Sequence, residues 1–171
     1  MEIRTTFFSA LRKYAGLAAL VLFYEIATVS FFQAALSISG ATHFWVDEIF
    51  SVWTARLPTP ADVVEAVWKG AEFSPPTYDL LLHFLFGAFG SDLVVARLPS
   101  ILAVLFSAAV LAILVGRHLG AISAALTYGL VLSSPLFGFA TQARPYALLI
   151  AVVSAAVLVW STCNEKGGNR W

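Results

Sequence analysis

Charge is what this chain has least of. Only 12% of its 171 residues are Asp, Glu, Lys or Arg, about half the share in ordinary soluble domains, and ten basic side chains cancel ten acidic ones to a formal net charge of +0. A neutral chain has no basic surface for a phosphodiester backbone, so nucleic acid finds no support as a partner. Cysteine is scarcer still. The single thiol, Cys163, excludes an internal disulfide and a thiolate metal cluster, and is expected to be buried and inert. Internal repeats, low-complexity tracts and any stretch polar enough to be a separate soluble domain are also missing.

What is abundant is apolar. Hydrophobic residues make up 60% of the chain and the mean hydropathy is +0.84, more than a water-facing surface of this size can cover. The reading is an all-α integral membrane protein, a single membrane domain over residues 1–171. Four apolar runs are long enough to cross: Gly16 to Ile38, Pro99 to Gly116, Ala121 to Phe139 and Ala147 to Thr162. The first follows Arg4, Arg12 and Lys13, as a signal peptide would, but it far exceeds an h-region of about 7–15 residues and reads as an uncleaved helix. It carries Glu25, which either faces other helices within the membrane or snorkels toward its inner surface. Pro135 is expected to bend or loosen the third run, and Arg117-His118-Leu119-Gly120 to turn tightly before it.

Between the first two runs lies a loop from 39 to 76. Within it, Thr59-Pro60-Ala61-Asp62 has the form of an N-cap, a first-position proline and a first-turn acid. It opens a short amphipathic helix on the membrane surface that ends at Gly70. Thr77 to Phe89 is apolar but too short to span easily, and is expected to lie re-entrant or interfacial. Asp79 and His83, four apart on one face of that helix, are expected to satisfy each other locally.

If Thr77–Phe89 does not span, the chain makes four crossings with both termini cytoplasmic. Arg4, Arg12, Lys13, Arg117, Lys166 and Arg170 then lie inside, which suits the positive-inside bias. The same count puts Asp47-Glu48 and Gln142-Ala143-Arg144 on one outer face. There Trp45-Val46-Asp47-Glu48-Ile49-Phe50-Ser51-Val52-Trp53 sets two adjacent carboxylates among aromatics at the membrane boundary. Partial desolvation at that depth makes the basicity of an acid tunable.

Three stretches then occur in order: the Trp45–Trp53 segment, Ser74-Pro75-Pro76-Thr77-Tyr78-Asp79-Leu80-Leu81-Leu82-His83, and Ala96-Arg97-Leu98-Pro99-Ser100 with Gln142-Ala143-Arg144-Pro145-Tyr146. Together they resemble the N-terminal third of GT-C membrane glycosyltransferases of the dolichyl-phosphate-mannose protein mannosyltransferase and aminoarabinose transferase-like type. The resemblance implies a plasma (inner) membrane enzyme that transfers a sugar from a polyprenyl-phosphate donor to a lipid, glycan or protein acceptor at the outer face. By the same resemblance Asp47 and Glu48 are the catalytic candidates, with Asp47 as general base or as organiser of a metal or acceptor, and Glu48 supporting it. Arg144, Tyr146, Arg97, Tyr78 and His83 are the candidate substrate contacts. A guanidinium is suited to the phosphate leaving group because it grips two oxygens at once. A divalent metal remains open as cofactor: Asp47, Glu48 and His83 could each contribute to a site, but no tight ligand spacing demands one. Where the family commonly has His before the proline pair and a second aromatic after it, this chain has Ser74 and Asp79. It is also much shorter than those enzymes, which implies a fragment, a truncated product or a small relative completed by a partner subunit. The alternative reading is a non-catalytic membrane subunit that binds lipid phosphate without turnover.

Overall fold

The computed structural model describes residues 2–167, with side chains from 14 to 165. The side chains of Arg4, Arg12, Lys13, Lys166 and Arg170, on which the expected orientation partly rests, lie outside the described residues. The described chain is helical throughout: α1 (Glu2–Ala41), α2 (Val46–Ala55), α3 (Pro60–Trp68), α4 (Thr77–Phe89), α5 (Leu93–Leu119), α6 (Ala121–Leu132), α7 (Leu136–Ala140) and α8 (Tyr146–Gly167). Three segments are long and apolar enough to cross a bilayer, Tyr14–Ala41, Leu93–Leu119 and Tyr146–Glu165. The all-α membrane reading therefore holds, but only three of the four expected crossings are unbroken helices.

The remaining pass is split. Residues 121–139 form α6, then a turn at Ser133-Ser134, then α7 entered through Pro135. The ring nitrogen of Pro135 cannot donate, and Ser134 compensates by accepting the Leu136 amide on its Oγ at 3.2 Å. The broken pair still climbs the full height of the bundle. At one end Gly120 links α5 to α6 at φ 86, a left-handed turn open to glycine. At the other end the Ser100 hydroxyl of α5 reaches the Arg144 carbonyl just past α7, at 3.3 Å.

Polar contacts fix how the helices run. The α1 C-terminus meets the α5 N-terminus through Arg97, while Arg117 of α5 donates to Thr162 of α8 at 2.7 Å at the opposite end. So α5 runs against α1 and alongside α8. The core between them is built from small residues, with Ala35, Ala103, Ala108, Ala112, Ala140, Ala147 and Ala151 around Phe31, Ile101, Val104, Tyr128 and Leu132. Without a hydrophobic drive between helices in lipid, close approach of small residues and interhelical hydrogen bonds supply the cohesion. The Thr28 and Tyr128 hydroxyls meet at 2.7 Å, and a Cβ placed on Gly129 would come within 2.9 Å of Phe23.

Helices α2, α3 and α4 gather at the end of the bundle where α1 stops and α5 and α8 begin. The Thr59 cap forms as expected: the Thr59 hydroxyl accepts the Asp62 amide at 3.2 Å, the Asp62 carboxylate accepts the Thr59 amide at 3.0 Å, and Gly70 follows the helix at φ 89. Thr59→Ala should cost about 1 kcal/mol, a typical loss for such a cap, read as a lowered unfolding midpoint in detergent. Helix α4 begins and ends where the sequence placed it and packs on α2, α3 and α5.

Two expectations need correction. The Arg97-Leu98-Pro99 boundary lies inside α5, because Asp92 starts the helix earlier by accepting the Val94 and Val95 amides at 2.9 and 2.8 Å. Cys163 is exposed on α8 and not buried. Glu25, for which facing other helices and snorkelling were both open, is exposed and meets no other described helix.

Candidate active site

The adjacent acids Asp47 and Glu48 occupy the second and third positions of α2, one exposed and the other buried. Glu48 is 1% exposed and spends both carboxylate oxygens on the protein. Its Oε1 accepts from Arg97 Nε at 2.9 Å and from the Ala143 amide at 2.6 Å; its Oε2 accepts from Arg97 Nη2 at 2.8 Å and from the Trp45 amide at 2.9 Å. Burial alone would raise its pKa, but the Arg97 bonds and the two backbone amides outweigh it and hold the carboxyl below its ordinary value.

Arg97, wholly buried, is equally committed. Besides Glu48, its Nη1 donates to the Ser39 carbonyl at 2.8 Å and to the Thr42 carbonyl and hydroxyl at 3.0 and 2.8 Å, and its Nη2 donates to the His43 carbonyl at 3.1 Å. These acceptors lie at the end of α1 and just beyond it, where helical carbonyls lack intrahelical partners. Arg97 thus caps α1, anchors the first turn of α2 through Glu48, and is stacked over Phe44 with 5.3 Å from its guanidinium carbon to the ring centre. This corrects its place as a substrate contact, because no N–H group is left to offer.

Asp47 is exposed, and its carboxylate makes no hydrogen bond to the described residues. It sits in the first turn of α2, and Arg144 lies nearby. The Arg144 Nη1 donates to the Asp47 carbonyl at 3.0 Å, to the Ser51 hydroxyl at 3.2 Å and to Glu72 Oε2 at 2.8 Å. Its Nε is buried without a partner. Tyr146 lies beside it, its ring centre 5.6 Å from the guanidinium carbon, 43% exposed and edge-on to Phe139. So Asp47, Arg144 and Tyr146 come together at the bundle end, while Glu48 and Arg97 brace them from beneath.

Tyr78 and His83 are placed otherwise. Tyr78 is buried, with its hydroxyl 3.4 Å from the Ala96 carbonyl and 3.5 Å from Ser100 Oγ, and burial raises its pKa. It packs α4 onto α5 and offers no surface to a ligand. His83 Nδ1 lies 3.0 Å from the Ala55 carbonyl at the end of α2, so it ties α4 to α2 and does not pair with Asp79. Among the described residues no three His, Cys, Asp or Glu side chains converge as a metal cluster. Glu48 and His83 are engaged elsewhere, so Asp47, Glu48 and His83 do not form a common ligand set.

Glu72 escaped the sequence reading, and Asp79 was read in another role. Glu72, one of five acids in the 39–76 loop, is buried and bonds Arg144, Ser51 Oγ at 3.0 Å and the Phe73 amide at 3.0 Å. No spacing singles it out. Asp79 lies wholly buried with neither carboxylate oxygen partnered. Burial first, then the Glu72 charge, push its carboxyl up to about 7, against a smaller opposing pull from Arg144. The sequence marked Asp79 only by its spacing from His83 and by the departure from an aromatic at this position, and neither signals an unpartnered buried acid.

The model of the dolichyl-phosphate-mannose-protein mannosyltransferase family matches residues 74–171, which take in α4, Arg97, Arg144 and Tyr146. No curated protein and no solved structure matches the chain.

Proposed function

This chain belongs to the dolichyl-phosphate-mannose-protein mannosyltransferase family, and we propose that it carries the acceptor-activating part of a sugar transfer from a polyprenyl-phosphate donor at the outer membrane face. What supports this reading is one juxtaposition. Asp47, whose exposed carboxylate bonds to none of the described residues, accepts through its backbone carbonyl from a cation, Arg144, that still has an unpaired Nε, at the end of a membrane bundle.

The chemistry follows from those groups. A sugar hydroxyl or other acceptor must lose its proton as its oxygen bonds to the anomeric carbon, and Asp47 accepts that proton. The bond from that carbon to the carrier phosphate breaks with its electron pair on the phosphate oxygen, where the Arg144 guanidinium offsets the growing charge. Glu72 holds Arg144 in position through Nη1, and Tyr146 covers one side of it. Glu48 and Arg97 are positioning residues: they fix the first turn of α2, and with it the direction of Asp47. The outer-face assignment puts both termini in the cytoplasm and the protein in the plasma (inner) membrane.

Asp47→Asn tests this directly. The side chain is exposed and bonded to nothing in the described structure, so the substitution should leave the unfolding midpoint unchanged. Transfer from a polyprenyl-phosphate sugar should fall at least ~100-fold, the lower range for loss of a general base. An Asp47→Asn protein that transfers at the wild-type rate removes Asp47 from the reaction. A wild-type protein that binds polyprenyl phosphate but never transfers sugar supports the non-catalytic reading instead.

A further inference from the structure

The first membrane span has a face that the bundle leaves uncovered. Glu25, Val29, Gln33 and Ser37 follow one another at four-residue intervals along α1, and all four are exposed. At ~1.5 Å per residue Glu25 lies about 16 Å along the span from Tyr14, deep within a hydrocarbon core of ~30 Å. Its flanking positions Val21, Leu22, Ile26 and Val29 are exposed apolar side chains, as lipid contact requires.

A carboxylate at that depth pointing into hydrocarbon is costly. Such groups ordinarily face a bundle interior or an opposite charge. Hydroxyl and amide side chains on a span serve as interhelical glue for the same reason. Three of the four positions in this stripe are hydrogen-bonding residues, and none is joined to another described helix. The side-chain contact that joins α1 to α6, Thr28 to Tyr128, lies on a different side.

We propose that this face of α1 docks a further transmembrane helix that carries a basic side chain at mid-depth opposite Glu25. Charge complementarity selects that partner over lipid, which offers no counter-charge at this depth, and over a second copy, which would bring another acid. Gln33 and Ser37 extend the contact toward the α2 end. The proposal concerns a face that does not include Asp47 or Arg144, so it stands apart from the catalytic reading.

The test uses synthetic transmembrane peptides in phosphatidylcholine vesicles, one of leucines with a single central lysine and one of leucines alone. The protein is labelled at its one cysteine, Cys163, which is exposed. Energy transfer to a labelled peptide then reports association. The lysine peptide should associate at least tenfold more strongly than the leucine peptide, and Glu25→Leu should abolish the difference while helical content stays unchanged. Gln33→Leu should weaken it by a smaller factor. Equal association of both peptides, a preference that survives Glu25→Leu, or no association at all each overturns the proposal. Glu25-dependent self-association that outcompetes the lysine peptide overturns it as well, and assigns the face to a second copy.

Discussion

Replacing Arg97 by Met is expected to cost about 3–5 kcal/mol, the usual penalty for leaving one member of a buried ion pair alone. The loss is larger than the pair itself. Glu48 would keep two backbone amides but lose the cation that holds it charged, and the Ser39, Thr42 and His43 carbonyls would lose their common donor. Arg97→Lys should fare nearly as badly, because a single ammonium cannot span a carboxylate and three carbonyls set around a planar fork. Glu48→Gln, which keeps acceptor and volume, should cost less than either. A double change to Glu48→Leu and Arg97→Met should recover only part of the loss, since the Ala143 and Trp45 amides and the α1 carbonyls remain unsatisfied. Unfolding midpoints in detergent across these four proteins check the ranking. An Arg97→Met protein as stable as wild type would deny the pair its structural role. The dependence on pH has a fixed sign. The Glu48 carboxyl lies below its ordinary value, so its stabilisation is complete above the unfolded pKa near 4.5 and is lost only as pH falls through the lowered folded value.

The parts of this architecture that sequence could reveal are those set by local rules. A Thr-Pro-Ala-Asp run states a helix start because the cap and its partner are three residues apart. A glycine after Arg117-His118-Leu119 states a turn because only the backbone is involved. Parity and positive charge went further and placed Asp47 on the same face as Arg144, and the two come within 3.0 Å through a backbone carbonyl. The partnerships across the chain were not legible. Glu48 and Arg97 are 49 positions apart, and nothing in either neighbourhood says that one acid of an adjacent pair turns inward while the other stays in solvent. That division follows from helical geometry once Trp45 caps the turn. Successive residues on α2 point about 100° apart, so only one of the two can meet Arg97. Likewise Pro99 reads as a boundary until Asp92 is seen to hold the helix start well before it.

Asp79→Asn is expected to stabilise the protein, by up to about 4 kcal/mol at pH 8, and to do nothing at pH 4 or below. The carboxyl is wholly buried on α4, at the bundle end and outside the spans, with both oxygens lacking a donor. Its pKa of about 7, against 3.8 for the free side chain, means that the folded protein keeps a proton which the unfolded chain has already released. Stability therefore falls as pH rises from about 4 to about 7 and is level above that, with each tenfold difference in proton affinity between the two states worth about 1.4 kcal/mol. An amide imitates the protonated acid at every pH, so the variant should lose that slope and match wild type only in acid. Asp79→Leu should stabilise further, since it also removes the unpartnered polar atoms. Unfolding midpoints of the three proteins between pH 4 and pH 8 decide the matter; parallel profiles for wild type and Asp79→Asn would mean that Asp79 finds a donor after all. The same charge bears on the site above it. When Asp79 ionises, Glu72 and Asp79 together outnumber the one cation, Arg144, so the cluster's attraction for a phosphate weakens. Asp79→Asn should accordingly hold a polyprenyl phosphate more tightly than wild type at pH 8 and equally well at pH 5. The residue that departs from the family pattern would then be the one that ties phosphate affinity to pH.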